Sequence, residues 1–551
     1  MTTKINKTSI GQSIELNGWV SKSRRLGNLI FVDLRDSDGI LQLVIDQTND
    51  NYELANSLRS EFVISITGKV IERKEPNTKI YSGEVEVEVK TLKIISKAQT
   101  TPLIIAEETD AGEQTRMEYK YLDIRRPNQA NIIKFRSDFN KIIRTFMDTQ
   151  DFTEVETPII TKPTPGGAAE FQVLSNNHEG EYYSLVQSPQ IYKQLLMYGG
   201  VDKYYQLAKC FRDEAGRKDR QIEFTQLDIE QAFVSPETIQ TMVESLLSEL
   251  FQKMLDKKIE VPFVRLSHEQ AMDKYGSDKP HLGFGNELVD VTTAFEDTDL
   301  NFVKDAVVKG SIVKSIFFEQ SLSRKQVDKF DTQVKEQGGN GLAWVRVEDS
   351  KISSGSIKEQ SLSVEKLIEL SGLTTFTFLM IVGEKSQAEE LLGRVRLAVA
   401  KELDLIDSST FNFAWVTDFP MFIKENGKIQ SAHNPFSAPQ DPQSLMDSTA
   451  NSYDIVLNGF EIGGGSLRIT DPELQIEIFK ILGMSDEEIK ESFSWLLEAM
   501  GYGTPNHGGI ALGLDRILAV MLNTESIRDV IAFPKSTLGT DEMLKAPIKL
   551  K

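Results

Sequence analysis

The sequence predicts a multidomain α+β protein in which an N-terminal β-barrel precedes a mixed α and β region. Three observations support this prediction. The first hundred residues form five short strand patterns, strand and helix patterns mingle after about residue 131, and a Ser- and Lys-rich block at 284–410 interrupts them. With 551 residues, the chain has room for three or four domains at roughly 100–200 residues each.

The barrel is predicted from alternating or β-branched segments that Gly, Asn and Asp separate. The predicted strands lie at 13–25, 28–36, 39–46, 62–70 and 83–95, with one helical piece at 51–61. Five strands and one helix match a small Greek-key barrel of the OB type, and a generic β-sandwich is the alternative. We assign residues 1–102 to this domain.

The remaining chain divides by pattern and composition. Residues 103–130 show no clear period and are interpreted as a linker, whereas an amphipathic helix is predicted from Asn131 to about Thr149. Strands are predicted near 181–187, 203–211 and 221–234. The other assigned segments are a mixed domain at 131–283 and 411–535, an inserted domain at 284–410 and a C-terminal extension at 536–551.

Composition excludes several classes of function. The net charge of −20 argues against general coating of nucleic acid but leaves room for a local basic face. One cysteine, Cys210, excludes an internal disulfide framework, and five histidines without paired spacing make a zinc site improbable. The first residues lack a signal-peptide pattern and no long apolar run occurs, so we expect a cytoplasmic protein without a membrane partner.

The segment Phe211–Glu230 indicates two strands joined by a charged loop. Arg212, Arg217 and Arg220 lie among four acidic residues, and guanidinium groups suit phosphate and carboxylate oxygens. A solvated hairpin with surface ion pairs is an equally good interpretation of this segment alone.

Two further segments are weak signals by themselves. In Ser188–Leu196 a Ser-Pro-Gln entry leads into a helix, where Ser188 could cap the N-terminus and Lys193 would lie on the first turns. The loop His433–Pro439 carries one histidine, and a lone histidine is more often structural than functional.

The segment Tyr453–Ile469 predicts a hairpin with two carboxylates. Asp454 and Glu461 could share one divalent cation through their oxygens, as magnesium prefers. Three consecutive glycines at 463–465 let the backbone approach a ligand closely, although a glycine bulge between exposed carboxylates is the alternative.

The segment Gly508–Asn523 predicts a glycine-rich strand that feeds a helix beginning near Asp515. Arg516 would then lie on the first helical turn, where a phosphate can bind. Neither GxxxxGK[ST] nor a GxGxxG fingerprint occurs in the required context, so the phosphate chemistry is not that of a P-loop or Rossmann protein.

Taken in order, these segments resemble the three motifs of class II aminoacyl-tRNA synthetases, most closely the bacterial-type aspartyl enzymes of subgroup IIb. The motifs are DFTEVETPII, FRDEAGRKDRQIEFTQ and GIALGLDR. Segments similar to the aspartyl family lie between and after them: TPGGAAEF, QSPQIYKQLL, HNPFSAP, NGFEIGGGSLRI and IRDVIAFPK. The resemblance covers nearly the whole chain and implies an antiparallel catalytic sheet with an inserted α/β domain.

The resemblance implies an aspartate–tRNA ligase that forms aspartyl-adenylate from ATP and then charges the tRNA. Arg212 would be the catalytic residue at the α-phosphate. The implied aspartate-binding residues are Gln190, Lys193, Arg212, Asp228, His433 and Arg468. The implied ATP-binding residues are Arg212, Asp213, Glu214, Gln221, Phe224, Glu461, Gly513, Leu514, Asp515 and Arg516. Asp454 and Glu461 would hold Mg²⁺.

Within these sets, the resemblance assigns separate tasks. Lys193 and Arg468 would face the side-chain carboxylate of aspartate, and Gln190 and Asp228 the ammonium group. Arg516 would hold the γ-phosphate. In the barrel, Phe31 would stack on an anticodon base of the aspartate tRNA, and Gln42 and Glu86 would contact base edges; on pattern alone, Phe31 would be a core residue.

The family also implies a homodimer, with Pro158 packing against the partner. Two positions depart from the family pattern: Gly166 stands where a glutamate is frequent, and Asn434 where many members have a second histidine.

The alternative functions are an asparaginyl enzyme, a lysyl enzyme, a non-catalytic RNA-binding paralogue, and a non-discriminating enzyme that also charges the asparagine tRNA. Lys193 with Arg468 disfavours the first two, and intact Arg212, Glu461 and Arg516 disfavour the third.

Overall fold

The structure is a computed structural model that describes residues 5–78, 80–163, 169–425 and 427–549. The chain divides into two compact units. The first unit comprises Met1–Asp138, Ala215–Ile222 and Glu525–Lys551, and the second comprises Phe139–Glu214 and Glu223–Thr524. No helix within the described ranges is sufficiently long and apolar to cross a membrane.

The first unit contains the predicted barrel. Its strands are β1 (Ser13–Leu26), β2 (Leu29–Arg35), β3 (Ile40–Asp46), β4 (Val63–Glu72) and β5 (Val85–Ser96). They close in the order β1-β2-β3-β5-β4, and only the β3–β5 pair is parallel. Inward-facing side chains such as Val20, Val32 and Leu43 form its buried core. The OB-type barrel is thus confirmed and the sandwich alternative is excluded.

The helices of this part of the chain differ in detail from the prediction. They are α1 (Tyr52–Asn56), α2 (Glu113–Glu118), α3 (Lys120–Asp123) and α4 (Pro127–Thr149). Helix α1 is shorter than the predicted 51–61, and α4 begins four residues before Asn131 because proline suits a first helical turn. The segment interpreted as a linker holds the two short helices α2 and α3. In α3 the fully buried Asp123 pairs with Lys120 and with Arg126, which follows the helix, at 2.8 Å each.

The second unit carries most of the secondary structure. Its strands are β6 (Thr153–Glu154), β7 (Ile160–Thr161), β8 (Gln172–Leu174), β9 (Tyr182–Leu185), β10 (Lys203–Phe211), β11 (Glu223–Ala232), β12 (Val264–Ser267), β13 (Leu288–Asp290), β14 (Ile312–Phe318), β15 (Ala343–Glu348), β16 (Lys351–Gly355), β17 (Phe376–Gly383), β18 (Phe413–Thr417), β19 (Phe422–Glu425), β20 (Lys428–Ser431), β21 (Ser452–Leu457), β22 (Phe460–Leu467) and β23 (His507–Gly513). Its helices are α5 (Gln190–Tyr198), α6 (Pro236–Leu255), α7 (His268–Tyr275), α8 (Asn301–Val308), α9 (Arg324–Glu336), α10 (Val364–Ser371), α11 (Lys385–Glu402), α12 (Pro472–Ile481), α13 (Asp486–Met500) and α14 (Leu514–Met521).

The main sheet of the second unit has eight strands in the order β12-β18-β21-β22-β23-β11-β10-β6. Its six central strands are antiparallel, and the outermost pair at each end, β12–β18 and β10–β6, is parallel. Helices α6 and α14 pack on this sheet. The antiparallel sheet flanked by helices is therefore confirmed.

The inserted block at 284–410 forms its own sheet and cores. Strands β13, β14, β17, β15 and β16 lie side by side in that order, and every neighbouring pair is antiparallel. Helices α9 and α11 bury Val327, Phe330 and Leu392 in one cluster, and Val364 and Leu367 of α10 belong to a second. The block thus has the buried apolar cores expected of an independent module.

Candidate active site

The candidate site lies on one face of the eight-stranded sheet. Along one row across the strands, Asp228 pairs with Ala511, Ala511 with Gly464, and Gly464 with Asp454. Directly paired residues of neighbouring antiparallel strands share a face of the sheet. Ala511 and Gly464 remain partly exposed. Small residues on the two middle strands thus form an open floor between two carboxylates that lie three strands apart.

At one end of the floor, two cations and two carboxylates form a buried cluster. Nζ of Lys193 on α5 lies 2.5 Å from Asp228 and 3.1 Å from Glu230. Arg468 donates from Nε and a terminal nitrogen to the two oxygens of Glu230, at 2.8 and 3.1 Å, and its other terminal nitrogen donates to Ser466 at 2.6 Å. Asp228 and Glu230 meet the same cations because residues two apart on a strand share a face.

Burial and pairing affect the two carboxylates differently. Burial tends to raise the pKa of Glu230, but Arg468 and Lys193 outweigh it and lower that pKa to about 2. At Asp228 burial dominates over the attraction of Lys193 and raises the pKa, and Oδ2 of this residue lacks a hydrogen bond among the described residues. Glu230 is therefore a fixed anion that holds Arg468, whereas Asp228 keeps one oxygen for another donor.

Glycine at position 509 makes room for this cluster. A Cβ there would lie 1.9 Å from a carboxylate oxygen of Glu230 and 2.1 Å from the carbonyl oxygen of Ile229. The carbonyl of Gly509 also accepts a hydrogen bond from the Tyr453 hydroxyl at 3.1 Å. Glycine is thus required at position 509 of the glycine-rich strand because any side chain there would collide with Glu230.

Arg212 directly follows the last residue of β10. Its guanidinium carbon is 5.1 Å from the centre of the Phe224 ring, and its Nε is buried without a hydrogen-bond partner among the described residues. The neighbouring Asp213 donates its N–H to the carbonyl of Ala169 at 2.8 Å, and the N–H of Glu214 donates to the carbonyl of Arg212 at 2.9 Å. An arginine on an aromatic face with an unused N–H suits an anionic ligand.

The helix at the predicted phosphate-binding turn begins within one residue of the predicted position, Asp515. Gly513 is the N-cap of α14, and Leu514, Asp515 and Arg516 follow on its first turn. The carboxylate of Asp515 accepts the N–H of Thr225 at 2.9 Å, and Arg516 donates to the carbonyl of Glu461. These contacts bring the helix beside β11 and β22.

At the opposite end of the floor lie the predicted metal ligands. Oδ1 of Asp454 is 2.9 Å from Nε2 of His433, and Glu461 pairs with Lys279 at 3.0 Å. Burial raises the pKa of Asp454; for Glu461, Lys279 and Arg516 overcome burial and lower the pKa. A Cβ at Gly464 would lie 2.4 Å from Oδ1 of Asp454, so this glycine keeps the carboxylate accessible.

The two carboxylates fit a hard divalent cation in donor chemistry, since both supply oxygen ligands; the buried Asp454 contacts the His433 imidazole, and the partly exposed Glu461 pairs with Lys279. They are not direct cross-strand partners, because a register shift in the hairpin pairs Asp454 with Gly464 and Glu461 with Val456. Within the described ranges no group of three or more His, Cys, Asp or Glu side chains could hold a metal.

The structure brings the three predicted anticodon residues together on the barrel. Gln42 pairs with Glu86 in register, donates to its carboxylate at 2.6 Å and accepts from Arg24 at 2.5 Å. Phe31 is half-buried, lies under the Arg24 guanidinium at 5.7 Å, and alternates with the buried Ile30 and Val32. Phe31 therefore faces outward from the barrel core.

Other predicted residues have different surroundings. Gln190 begins α5 and donates to Gln194 at 3.3 Å. Gln221 belongs to the first unit, where its carbonyl oxygen accepts the N–H of Lys535 at 2.8 Å. The capping role of Ser188 is wrong, because Pro189 is the N-cap of α5 and no side chain caps it. Gly166 lies outside the described residues.

Two residues of the site escaped the sequence analysis. Glu230 holds both Arg468 and Lys193, and its signal was a second acidic residue two positions after Asp228, within the buried stretch of β11. Lys279 contacts Glu461 from the segment after α7, 182 positions earlier in the chain, and no local pattern marks such a contact.

Comparisons with known proteins agree with this architecture. The family model of class II tRNA synthetases (D, K and N) matches residues 112–537, and that of the OB-fold nucleic acid binding domain matches residues 14–95. The chain belongs to the class II tRNA synthetase family and is an aminoacyl-tRNA synthetase, a ligase.

Its relatives include an aspartate–tRNA(Asp/Asn) ligase of Bacillus cereus, 43% identical over 562 residues, and an aspartate–tRNA ligase of Streptococcus thermophilus, 43% identical over 557 residues. Each comparison covers 99% of this chain and 95% of the relative. The fold is similar to that of asparaginyl-tRNA synthetase from Pyrococcus horikoshii with asparaginyl-adenylate, with a TM-score of 0.62, 21% identity and 96% of both chains covered. It is also similar to aspartyl tRNA synthetase from Entamoeba histolytica, with a TM-score of 0.59, 19% identity, and 97% of this chain and 90% of that chain covered.

Replacing Gly509 by Ala is expected to destabilise the second unit by about 2 kcal/mol or more, because the new methyl group meets Glu230 and the backbone of Ile229. The matched control is Gly513→Ala on the same strand, where the nearest atom lies 3.7 Å from the added Cβ. Thermal unfolding of both variants tests this. Equal melting temperatures for the two variants would contradict it.

The pKa of Glu230 predicts a specific pH dependence. Because this pKa falls from 4.5 to about 2 on folding, the carboxylate stabilises the fold above pH 4.5 and loses that contribution as the pH falls toward 2. The full effect is about 3 kcal/mol. Glu230→Gln should therefore unfold at a lower temperature than the wild type at pH 6, with a difference that shrinks on acidification. A difference independent of pH would argue against a charged Glu230.

Proposed function

We propose that the chain is an aspartate–tRNA ligase that activates L-aspartate with ATP and transfers it to the 3′ end of the aspartate tRNA. The observation that carries this proposal is the charge of the site. Lys193, Arg212 and Arg468 supply three positive charges, and Asp228 and Glu230 supply two negative charges. The net charge of these five groups is thus one positive.

Aspartate balances this charge and asparagine does not. The free amino acid carries two carboxylates and one ammonium group, so aspartate neutralises the five groups, whereas zwitterionic asparagine leaves one cation unpaired. An unpaired buried charge is costly, and such sites discriminate by about 10⁴-fold or more. In this proposal Lys193 and Arg468 bind the side-chain carboxylate of aspartate. The free Oδ2 of Asp228 accepts a hydrogen bond from the ammonium group, which Gln190 also contacts.

The reaction requires positioning and charge neutralisation rather than a protein nucleophile. Arg212 would hold the reacting α-carboxylate beside the α-phosphate of ATP through its unused Nε–H, while Phe224 stacks on the adenine. Asp213, Glu214 and Gln221 would contact the nucleotide. Arg516, on the first turn of α14, would neutralise the γ-phosphate as pyrophosphate leaves.

Mg²⁺ would bind Asp454 and Glu461, where it would neutralise phosphate charge during adenylate formation. His433 fixes the carboxylate of Asp454 at 2.9 Å. Lys279 pairs with Glu461 and would have to give up this contact to the cation.

The barrel would bind the anticodon loop. Phe31 would stack on one base, and Gln42, held between Arg24 and Glu86, would present a fixed amide to a base edge. The proposal also includes a cytoplasmic homodimer, supported by the similarity of the segment around Pro158 to the family's dimer motif.

A second candidate is the non-discriminating enzyme that also charges the asparagine tRNA. It is favoured by the name of the Bacillus cereus relative, an aspartate–tRNA(Asp/Asn) ligase. The choice between the two tRNAs would depend on a few loop residues. These are Leu26, which lies at the tip of the β1–β2 hairpin and is 72% exposed, and the loop Glu75–Lys79, whose last residue lies outside the described residues. Aminoacylation of both purified tRNAs with aspartate decides between the two functions.

Arg212→Ala is expected to reduce aspartate-dependent ATP–pyrophosphate exchange by about 10³-fold or more, because it removes the cation at the reacting centre. The wild type should show exchange with aspartate and none with asparagine. Arg144→Ala, which removes an exposed arginine paired with Glu154, is the matched control and should exchange normally. Binding of the tRNA should persist in both variants, and retained exchange in Arg212→Ala would refute the role of this arginine.

Phe31→Ala is expected to weaken tRNA binding by about tenfold or more through loss of one stacked base, while ATP–pyrophosphate exchange stays unchanged. Ile95→Ala, which truncates an exposed apolar residue of β5, is the control for general damage to the barrel. Filter binding and exchange assays measure the two effects separately. An unchanged dissociation constant would exclude Phe31 from the anticodon site.

A further inference from the structure

The inserted module contains a cavity of about 420 Å³. The face of the β15–β16 hairpin and one side of α9 form its walls. Its polar lining consists of Arg324, Asp328, Asp331, Arg346, Ser354 and Ser356. The volume is far larger than the roughly 30 Å³ that one water molecule occupies, so an organic molecule fits.

The hairpin places two hydrogen-bond donors side by side. Arg346 on β15 pairs in register with Ser354 on β16, so both side chains lie on the same face. Trp344, two residues before Arg346, shares that face and supplies an indole wall. Val327 and Leu342 complete the apolar part of the lining. A charged and polar corner therefore adjoins a planar, apolar surface.

Both donors lack partners. Nε of Arg346 and the hydroxyl of Ser354 are shielded from solvent and make no hydrogen bond within the described ranges. A terminal nitrogen of Arg346 donates to the carbonyl of Leu322, which fixes the guanidinium in place. Buried polar groups in folded proteins are nearly always satisfied, so this pair indicates a missing acceptor.

The acidic residues of the cavity do not neutralise Arg346. Asp331 is occupied by the N–H of Leu342 and by Lys335, at 2.8 and 2.7 Å. Asp328 is largely exposed and lies 3.8 Å from Arg324. Among the described residues no carboxylate lies within 4 Å of the Arg346 guanidinium.

A buried arginine with a purely structural role looks different in the same module. Arg396 is 1% exposed and donates to the carbonyls of Asn286, His281, Phe284 and Gly285 at 2.8–3.0 Å. Its charge is thus embedded in backbone acceptors. Arg346 has one such acceptor and lines the cavity with its buried Nε–H unpaired, which is the arrangement of a binding residue.

We infer that this cavity binds a small organic oxyanion, a carboxylate or a phosphate monoester attached to a planar group. The oxyanion accepts from Nε–H of Arg346 and from the Ser354 hydroxyl, and the planar group packs on Trp344. An anion supplies both the acceptor and the counter-charge that the corner lacks, and charge-assisted bonds of this kind are among the stronger ones.

The test uses the full chain labelled with 5-fluorotryptophan, whose four tryptophans give separate fluorine resonances. Trp344→Phe assigns the resonance of the cavity. Benzoate and phenyl phosphate are the two probes, and neutral benzamide has the same ring without the charge. We expect the Trp344 resonance to shift with one or both anions. The probe that binds more tightly shows whether the cavity prefers a carboxylate or a phosphate monoester.

Arg346→Gln should weaken binding of the preferred probe about tenfold or more, since it removes a charged donor. Arg394→Gln, an exposed arginine of α11 beside Glu390, is the matched control and should bind normally. Equal binding of benzamide, unchanged affinity in Arg346→Gln, or no shift with either anion would overturn the inference. If Arg346→Gln does not fold, Ser354→Ala decides by the same comparison, with a loss of affinity expected.

Discussion

The contact between Glu230 and Arg468 is the constraint on which the rest of the catalytic unit depends. Both side chains are almost completely buried, and the pair is bidentate. Removing either partner would leave a charge in the sheet's interior, which is strongly destabilising. Lys193 and Asp228 complete the cluster, so four buried charges assemble together with the central strands.

The backbone adapts to this cluster. Strand β23 must approach β11 closely enough for Arg468 to reach Glu230, and Gly509 is the position where a side chain would collide with that carboxylate. On the neighbouring strand, Gly464 does the same for Asp454. Gly509 and Gly464 are therefore consequences of the charges. A Cβ at 463, 465 or 508 would instead meet backbone and uncharged side-chain atoms of the neighbouring strands, so close strand packing accounts for those glycines.

Sequence patterns predicted much of this arrangement because their signals are local. The alternation of β5, the charged hairpin of β10 and β11 and the glycine-rich entry to α14 each occupy a few neighbouring residues. The cation–carboxylate partnership of Arg468 was not predictable in the same way, since Glu230 lies 238 positions away and only strand order brings the two together. Lys279 was missed for the same reason. The two short helices before α4 were missed because each spans six residues or fewer, too few to show a helical period, and the buried ion pairs of Asp123 lie in and just after the second of them.

The cluster also explains why two cations in a site need not attract every anion. Lys193 and Arg468 are already matched by Asp228 and Glu230, so an anion gains from them only if it brings a compensating positive charge or meets a further cation. An amino acid brings its own ammonium group, and Arg212 is the further cation. A simple dicarboxylate without the ammonium group would add two negative charges to a net charge of one, and would be disfavoured. Under the proposed function, selectivity for an acidic amino acid over other acids would thus follow from the charge balance of these five side chains, before any detail of pocket shape is considered.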